Sequence, residues 1–384
     1  MKTVIFDEKR HLKTSIITLT LILLSACTAT AQEDYWVPFW NNDRTLFGFK
    51  TGKGEVKIAP KYVDFAPVNS FDNFNWKFED IVAVGENEGN QYKSYYLTKS
   101  GDTFGHDRLY FNEAGSVDCE SEGYIRFTDK NGQVGLYDGS GEVVIPAIYN
   151  ELSTVQNGLL WAKKDADKIY DEGDSSIFYF INGQRLLLNT KGEVLISDFN
   201  TADYNPFDEI DPYSMQISRE EYPDTTKFSI LGENGVYYTF SNFKQHFEEW
   251  LDTFLVNNLT RSKFEEVVAD QINCRGYFSK NYLSPTLISD SSFLDAHFEL
   301  IQFKLREVHT SNVDWFVTKE ALNPLAYSRE TYAHYYDNCG KPRDIQYPLM
   351  KLVVNRDNQR QDTYDFLKVD NDRYILIGLK IDRE

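Results

Sequence analysis

Residues 134–149 read Val-Gly-Leu-Tyr-Asp-Gly-Ser-Gly-Glu-Val-Val-Ile-Pro-Ala-Ile-Tyr, and residues 47–62 repeat this pattern. Both stretches place two glycines, an isoleucine and a tyrosine at the same separations, with Glu-Val after the second glycine. The equivalent pairs are Gly48 and Gly135, Gly54 and Gly141, Ile58 and Ile145, and Tyr62 and Tyr149. In such a unit one glycine relieves crowding between strands and the other supplies a positive φ angle in a turn. The pattern predicts one β-hairpin unit that is used twice.

The unit continues beyond these two copies. Residues 191–196 repeat its central part, and residues 99–102 form a degenerate copy. The turn glycines at positions 54, 101, 141 and 192 have the spacing of a repeat array with insertions. Short apolar or alternating runs separated by turn residues extend from residue 35 to about residue 240, which favours antiparallel hairpins over helices.

These residues resemble the WG-repeat family, whose unit combines an aromatic-Gly pair, a turn glycine, Ile-Pro and a tyrosine. Residues 135–149 are the best copy, and Gly-Leu-Leu-Trp-Ala follows at 158–162. The tryptophan that names the family is replaced by Phe47 and Val134. Over residues 35–200, the resemblance implies a stacked antiparallel β array, with a propeller-like arrangement as one option. It also implies an interaction surface without chemistry of its own.

Asn-Gly pairs mark three hairpins in this part of the chain. The clearest joins Phe178–Ile181 to Gln184–Leu188 through Asn182-Gly183, because Asn-Gly readily adopts the positive φ angles of a type I′ turn. Asn131-Gly132 and Asn234-Gly235 are predicted to be hairpin turns for the same reason.

The start of the chain looks like an export signal. Basic residues precede an apolar stretch of about a dozen residues, too short to span a bilayer, which ends in Leu24-Ser25-Ala26-Cys27. These four residues resemble a bacterial lipobox. We therefore expect residues 1–26 to be a signal peptide and Cys27 to be lipidated. The alternative is ordinary secretion, soluble or periplasmic, with cleavage before Gln32.

The composition narrows the range of partners. The formal net charge of −19 argues against nucleic acid and against adsorption on anionic lipid, so any membrane attachment would come through a lipid on Cys27. Aromatic residues make up 15% of the chain, which favours β-structure.

The cysteines permit at most one disulfide in the mature protein. They lie at positions 27, 119, 274 and 339, so three remain if Cys27 is lipidated or removed. We expect Cys274 to pair with Cys339, because both lie in the C-terminal part while Cys119 lies among the repeats. The alternative is that all three are small buried apolar residues.

After residue 240 the pattern changes, which predicts a domain boundary between residues 27–240 and 241–384. Apolar residues at helical spacing predict one helix over 243–254, with Asn242 as its cap, and a second after Thr260 that reaches 272. Three strands are predicted at 349–354, 363–369 and 374–381. The result is an α+β domain with helices packed on an antiparallel sheet, which loosely resembles the NTF2-like cone and the cavity that such folds often contain.

Side chains suited to chemistry are concentrated only at His297, His309, Asp314, His334 and Asp337. Their spacing matches no metal-binding motif, which favours structural or solvated roles. A general base at His309 oriented by Asp314 is the alternative, and capping of a strand is the favoured role for that pair.

Two further segments are assigned to structure. Residues 232–235 are predicted to be a turn and not a phosphate loop, because no Lys-Ser or Lys-Thr follows them. The aromatic run at 332–336 is predicted to pack in the core beside Cys339, with an exposed carbohydrate or peptide platform as the alternative.

The sequence thus predicts an exported, lipid-anchored and non-enzymatic protein of the cell envelope. Its repeats would bind a protein or glycan partner, and it would need no cofactor. A competing hypothesis places a small-ligand site or an enzyme in the cavity of the C-terminal domain. A third treats the chain as a structural spacer of the envelope.

The lipidation hypothesis predicts the behaviour of a single substitution. Cys27→Ser should move the protein from the membrane fraction to the soluble fraction, because it removes the thiol that would carry the lipid. Fractionation with immunodetection checks this result. A substituted protein that stays in the membrane fraction, or a wild-type mature chain that starts at Gln32 by mass spectrometry, would contradict the hypothesis.

Overall fold

The computed structural model describes residues 35–64, 77–112, 115–171, 173, 178–200, 205–224, 226–256, 259–279, 286–288, 291–310, 313–356 and 360–382. The expected signal peptide and Cys27 lie outside these residues. Within them the chain is mostly β-strand, arranged in several antiparallel sheets with few helices. None of the helices in these ranges is long and apolar enough to cross a membrane.

The first part of the chain contains eighteen strands in five sheets within the described ranges. The strands are β1 (Trp36–Trp40), β2 (Phe47–Thr51), β3 (Val56–Asp64), β4 (Ile81–Glu88), β5 (Gln91–Thr98), β6 (Thr103–Phe104), β7 (Tyr124–Thr128), β8 (Val134–Asp138), β9 (Val143–Tyr149), β10 (Glu151–Leu152), β11 (Leu159–Lys164), β12 (Asp167–Tyr170), β13 (Phe178–Ile181), β14 (Gln184–Asn189), β15 (Val194–Ile196), β16 (Ile210–Ser218), β17 (Lys227–Leu231) and β18 (Tyr237–Asn242). They form the sheets β1–β6, β7–β9, β10-β11-β14-β15, β12-β13 and β16-β18-β17.

The predicted repeat is confirmed by strand register. Phe47 pairs with Tyr62 and Phe49 with Ile58 in the first copy. The second copy has the same pairs at Val134 with Tyr149 and Leu136 with Ile145. Equivalent residues therefore occupy equivalent places in two separate sheets.

The first glycine of each unit is required by a close backbone approach. A Cβ atom on Gly48 would lie 2.2 Å from the carbonyl oxygen of Ile58, and one on Gly135 would lie 2.7 Å from that of Ile145. The turn glycines Gly54 and Gly141 have φ angles of 89° and 84°. Both positions, the close backbone approach and the turn with positive φ, favour glycine over any other residue. The spacing of the two glycines therefore sets the geometry of the hairpin.

Two of the three predicted Asn-Gly hairpins are confirmed, and one is wrong. Asn131-Gly132 joins β7 to β8, and Asn234-Gly235 joins β17 to β18. Asn182 and Gly183 have the expected positive φ angles of 56° and 76°. However, β13 pairs with β12 and β14 pairs with β11. This dipeptide therefore lies within one arm of a longer hairpin, between β13 and β14, and does not close a hairpin.

The C-terminal part has helices on one face of a six-stranded sheet. Its elements are α1 (Phe243–Val256), α2 (Arg261–Glu265), β19 (Val268–Gly276), β20 (Thr286–Ile288), α3 (Ser291–Thr310), β21 (Trp315–Glu320), β22 (Leu349–Asn355), β23 (Gln361–Val369) and β24 (Arg373–Ile381). The sheet order is β20-β19-β24-β23-β22-β21. The core between helices and sheet includes Phe247, Leu251, Ile301, Leu305 and Phe366.

The sequence predictions for this part are correct at α1 and at the last three strands but wrong at the second helix and in one strand direction. Thr260 does cap α2, accepting a hydrogen bond from the amide of Lys263, yet the helix ends at Glu265. The β-branched pair Val267-Val268 leads into β19, which runs parallel to β24, so the sheet is mixed and not wholly antiparallel. The predicted boundary near residue 240 coincides with the start of α1, and the division into two domains stays a prediction.

A five-residue stretch, Asp118–Glu122, joins these parts and is called here the junction segment. Asp118 accepts three hydrogen bonds from Arg126 of β7, at 2.6 to 3.0 Å. Glu120 accepts the amides of Asp80 and Ile81 at the start of β4, at 3.0 and 2.8 Å. The segment thus connects the first sheet to the second.

The other side chains of the junction segment reach further along the chain. Ser121 donates to the carbonyl of Val155 at 2.7 Å. Glu122 accepts the amides of Asn157 and Gly158, at 2.6 and 2.8 Å, and the hydroxyl of Tyr213 on β16 at 3.1 Å. Four sheets therefore meet at one short stretch of chain.

The expected disulfide between Cys274 and Cys339 is wrong. Cys119 of the junction segment is bonded to Cys339, across 220 residues of sequence. Cys274 is a buried free thiol in the core under the helices, where burial raises its pKa to about 12. Cys274 lies on the helix side of β19, whereas Cys339 lies in the chain between β21 and β22 and packs against the core of the first sheet, so the two sulfur atoms are kept apart.

The disulfide predicts a defined pattern of stability. By closing a loop of 220 residues, the disulfide reduces the entropy of the unfolded chain. This stabilises the folded protein by about 5 kcal/mol, less any strain in the native bond. Cys119→Ala and Cys339→Ala should each lower the melting temperature, and the double variant should lower it no further than the more damaging single one. Cys274→Ala serves as the control that keeps the bond. Peptide mapping after alkylation without reduction should recover Cys119 joined to Cys339, and recovery of both as alkylated thiols would contradict the assignment.

Glu120 predicts a pH dependence. Burial raises its pKa to about 7, against the model-peptide value of 4.5, although two backbone amides lower it. A carboxyl group whose pKa is raised on folding stabilises the protein below its unfolded pKa, and this contribution is lost as the pH rises from about 4.5 to 7. Glu120→Gln keeps an acceptor oxygen and removes the charge. Its free energy of unfolding relative to wild type should therefore increase by up to about 3 kcal/mol between pH 5 and pH 8.

Chemical denaturation at a series of pH values measures this difference. Exposed Glu142 provides the control, because Glu142→Gln also removes one negative charge but from the surface. A difference between Glu120→Gln and wild type that does not change with pH would contradict the assignment.

Candidate interaction surface

The strands β12 and β13 form a separate two-stranded ribbon at the end of the β11–β14 hairpin. At the point where the hairpin becomes the ribbon, Asp165 on one side and Asn182-Gly183 on the other all have positive φ angles. A Cβ atom on Gly183 would lie 2.6 Å from the carbonyl oxygen of Lys164. The positive φ angles on the two strands thus lie at one place, where the pairing of β11 with β14 ends and that of β12 with β13 begins.

The base of the ribbon is held by polar contacts. The side chain of Asn150 accepts the amide of Ala166 at 2.9 Å. The ammonium group of Lys163, itself almost buried, donates to the carbonyl of Phe180 and lies 3.7 Å from Glu151. These contacts hold the base of the ribbon against β10 and β11.

One face of the ribbon is aromatic and is partly covered by its own cation. Register places Lys168 and Tyr170 on the same face as Phe178 and Phe180. The ammonium nitrogen of Lys168 lies 3.6 Å from the centre of the Phe178 ring and 5.2 Å from that of Tyr170. Cation–π attraction therefore occupies part of this face within the chain, while Tyr170 and Phe178 keep exposed fractions of 57% and 42%.

The opposite face is mostly apolar and is uncovered, and it also carries Asp167, whose carboxylate accepts a hydrogen bond from the side-chain amide of Asn182 at 2.8 Å. Ile169, Tyr179 and Ile181 lie on it, and their exposed fractions are 42%, 49% and 41%. Within the part of the chain that the structure describes, neither outer edge of the ribbon pairs with a further strand. We call these three residues and the adjoining edges the ribbon face.

A two-stranded ribbon of this kind is marginal in water by itself. Its exposed apolar side chains and open strand edges are the features by which sheets accept further strands or apolar partners. The arrangement is suited to binding and carries no group positioned for catalysis among the described residues of the ribbon.

The sequence identified β13 as a strand but did not reveal its exposure. Phe178–Ile181 is apolar at every position, a pattern that is typical of a strand buried on both faces. The signal that could have suggested otherwise is the acidic and small sequence Asp-Glu-Gly-Asp-Ser-Ser at 171–176, directly before the apolar run.

The residues predicted to be suited to chemistry are dispersed. The His297 ring packs against Tyr277, Phe278 and Phe293. Asp314, which lies directly before β21, accepts a hydrogen bond from the side chain of Asn355 at the end of β22, at 2.6 Å. The side chain of His309 lies outside the described part of the chain.

His334 and Asp337 also have structural partners. His334 lies 3.0 Å from the hydroxyl of Tyr347, which donates to Asp370 at 2.9 Å. The hydrogen bond to Asp370 and burial raise the pKa of Tyr347 to about 12. Asp337 accepts the amides of Cys339 and Lys341, at 2.9 and 2.8 Å, and shapes the turn that carries the disulfide.

Asp337 also lies in the single group of three metal-type side chains found among the described residues. Its other members are Cys119 and Cys339, whose sulfur atoms are bonded to each other. The group is therefore accounted for by the disulfide and its turn.

The two segments assigned to structure are confirmed. Residues 232–235 form the turn of the β17–β18 hairpin. In the aromatic run, Tyr332 and Tyr336 are buried in a core cluster on the far side of the C-terminal sheet, and the Tyr336 hydroxyl donates to the carbonyl of Tyr327 at 2.7 Å.

One buried ion pair between the two parts of the chain had no sequence signal. Lys368 of β23 contacts Asp211 of β16, with side-chain exposures of 6% and 4%, and lies 3.1 Å from Asp372. Burial raises the pKa of Asp211, although Lys368 opposes the shift. His246 of α1 lies 2.8 Å from the hydroxyl of Tyr374 beside this pair, and burial lowers the pKa of its imidazole. The cluster satisfies its own charges and ties the repeats to the C-terminal sheet.

Residues 135–166 match the family model of the WG containing repeat, the stretch that runs from β8 into the hairpin bearing the ribbon. This match supports the interpretation of the chain as a WG-repeat protein. No curated protein matches the sequence.

Proposed function

We propose that the protein is an exported, lipid-anchored WG-repeat protein that binds a protein partner of the cell envelope without catalysing a reaction. The observation that carries the proposal is the ribbon face, formed by Ile169, Tyr179 and Ile181 at the end of a repeat hairpin. Lipid attachment at Cys27 rests on the lipobox-like residues 24–27 alone.

A protein partner fits the ribbon face better than a glycan does. Ile169 and Ile181 offer aliphatic surface, and the Asp167 carboxylate beside them already accepts the side-chain amide of Asn182, whereas a glycan exposes many hydroxyls that need donors and acceptors. The open edges of β12 and β13 offer backbone amides and carbonyls, which an extended polypeptide can pair as an added strand. We therefore propose an extended segment with apolar side chains as the occupant.

The finer features of the architecture belong to the same proposal. The shared register of the repeat units supports a propeller-like succession of sheets. The packing of α1 and α3 on one face of the C-terminal sheet supports an NTF2-like cone. In this arrangement the C-terminal part acts as a base to which the repeats are tied.

Site-specific photo-crosslinking tests the proposed partner. A benzophenone amino acid at Tyr179 should form an adduct of discrete mass with an envelope protein, because this side chain lies at the centre of the ribbon face. The same amino acid at Tyr92, a tyrosine of β5 with 46% exposure, is the matched control and should not form that adduct. Adding Ile169→Thr and Ile181→Thr should reduce the Tyr179 adduct by at least about tenfold, since apolar contact is lost while β-propensity is kept.

Three outcomes would contradict the proposal. An adduct of equal yield from Tyr92 would show that contact is not specific to the ribbon face. An adduct between two copies of the chain would make the occupant a second copy. An adduct that resists protease and contains sugar would make the partner a glycan.

A further inference from the structure

The buried pair of Lys368 and Asp211 brings together two groups that can react with each other. Lys368 lies on β23 of the C-terminal sheet and Asp211 on β16 of the repeats, 157 residues apart in sequence. The ammonium nitrogen of Lys368 contacts Oδ2 of Asp211, and the two side chains are only 6% and 4% exposed. An amine and a carboxyl group held in contact are the two components of an amide bond.

The surroundings of the pair disfavour its ionic form. The ring of Phe243, itself 2% exposed, lies 5.9 Å from the ammonium nitrogen of Lys368. Burial raises the pKa of Asp211, and the charge of Asp372 acts in the same direction, although Lys368 opposes the shift. Transfer of one proton from the ammonium group to the carboxylate therefore gives a neutral amine beside a neutral carboxylic acid more readily than it would in water.

The two carboxyl oxygens of Asp211 have different surroundings. Oδ1 accepts the backbone amide of Tyr213 at 2.9 Å, whereas Oδ2 faces Lys368. A hydrogen bond of this kind polarises a carbonyl group and stabilises the negative charge that develops on its oxygen when a nucleophile attacks. Oδ1 is thus suited to become the carbonyl oxygen of an amide, and Oδ2 is suited to leave.

A third group is placed to carry a proton. Oδ1 of Asp372, in the turn between β23 and β24, lies 3.1 Å from the ammonium nitrogen of Lys368. The Asp372 side chain is 61% exposed, in contrast to the buried pair that it touches. It can therefore accept a proton from the attacking nitrogen and pass it to the leaving oxygen.

We propose that Lys368 and Asp211 form an intramolecular isopeptide bond, with Asp372 as the proton carrier. The neutral amine of Lys368 attacks Cγ of Asp211, so that the bond from Nζ to Cγ forms and the bond from Cγ to Oδ2 breaks. Of the three protons on the original ammonium group, one stays on the amide nitrogen and two leave with Oδ2 as water. The reaction consumes no oxidant, reductant or other reactant.

Folding supplies the conditions that this reaction lacks in solution. In water the separate ions are favoured over the amide, because both charges are hydrated. Two groups held in a productive geometry react as if each were present at about 10⁵–10⁸ M. Burial also removes the hydration that stabilises the ions. We therefore expect the bond to form only after β16 has packed against β23, whether or not the ribbon face binds a partner.

Peptide mapping of the full chain after denaturation and reduction tests the proposal. Because trypsin does not cleave after an acylated lysine, the wild type should yield residues 361–373 joined to residues 192–219. The mass of this species should be lower than the sum of its two peptides by one water. Fragmentation should place the link between Lys368 and Asp211.

The same digest contains a matched control. Lys351 of β22 also contacts a carboxylate on a neighbouring strand, that of Glu320, but these side chains are 25% and 39% exposed. Cleavage after Lys351 should therefore be complete, because hydrated charges do not give the neutral amine and acid.

Two substitutions separate the covalent bond from the ion pair. Lys368→Arg keeps a cation beside Asp211 but offers no nucleophile, so residues 361–368 should appear as a free peptide. Asp372→Asn removes the proton carrier at an exposed position and should lower the linked fraction at a fixed time after synthesis by at least about tenfold. Asp370→Asn, which changes an exposed carboxylate of the same turn, should be linked as the wild type is.

The wild-type digest decides the proposal even if a substituted protein fails to fold. Complete cleavage after Lys368 in the wild type, with residues 192–219 recovered free, would overturn the proposal and leave a buried ion pair. Equal linked fractions in Asp372→Asn and wild type would overturn the role of Asp372.

Discussion

The junction segment is the constraint on which the rest of the structure depends. Within five residues, Asp118 is hydrogen-bonded to β7 and Glu120 to β4, and Cys119 forms a disulfide with the C-terminal part. Glu122 is hydrogen-bonded to the chain before β11 and to β16. The Asp118–Arg126 pair is almost completely buried, so each charge is stabilised by the other and not by water. Removing one partner would leave an uncompensated charge at the point where the sheets meet, which is far more damaging than the loss of a surface pair.

The repeat units explain how the pattern survives without the tryptophan that names the family. The position is Phe47 in one copy and Val134 in the other, and both are buried against the tyrosine that closes the unit. The fixed elements are the glycine under the crossing strand and the glycine in the turn. Backbone approach therefore sets the register, and the volume of the neighbouring apolar side chain is free to vary.

Local chemistry explains what could be predicted from the sequence. Turn glycines, the Asn242 cap and the strands β22 to β24 were predicted from residues close in sequence, and each of these predictions is correct. Contacts between residues that are far apart in sequence could not be predicted in this way. The partner of Cys339 depends on how the chain between β21 and β22 folds back on the repeats, and the Lys368–Asp211 pair joins residues with no common motif.

The ribbon face shows the same difference between what local sequence and what tertiary structure reveal. The sequence marked β13 as apolar, but only tertiary structure shows that Tyr179 and Ile181 lie on a face that the described part of the chain does not cover.

The bond between Cys119 and Cys339 has a consequence for proteolysis. The ribbon lies inside the covalent loop that this bond closes. A protease that cuts the chain between β12 and β13 would therefore produce two polypeptides that remain one molecule until the bond is reduced. The repeats before the cut would keep their hold on the C-terminal sheet, and a nicked form would migrate as an intact chain unless a reductant were present.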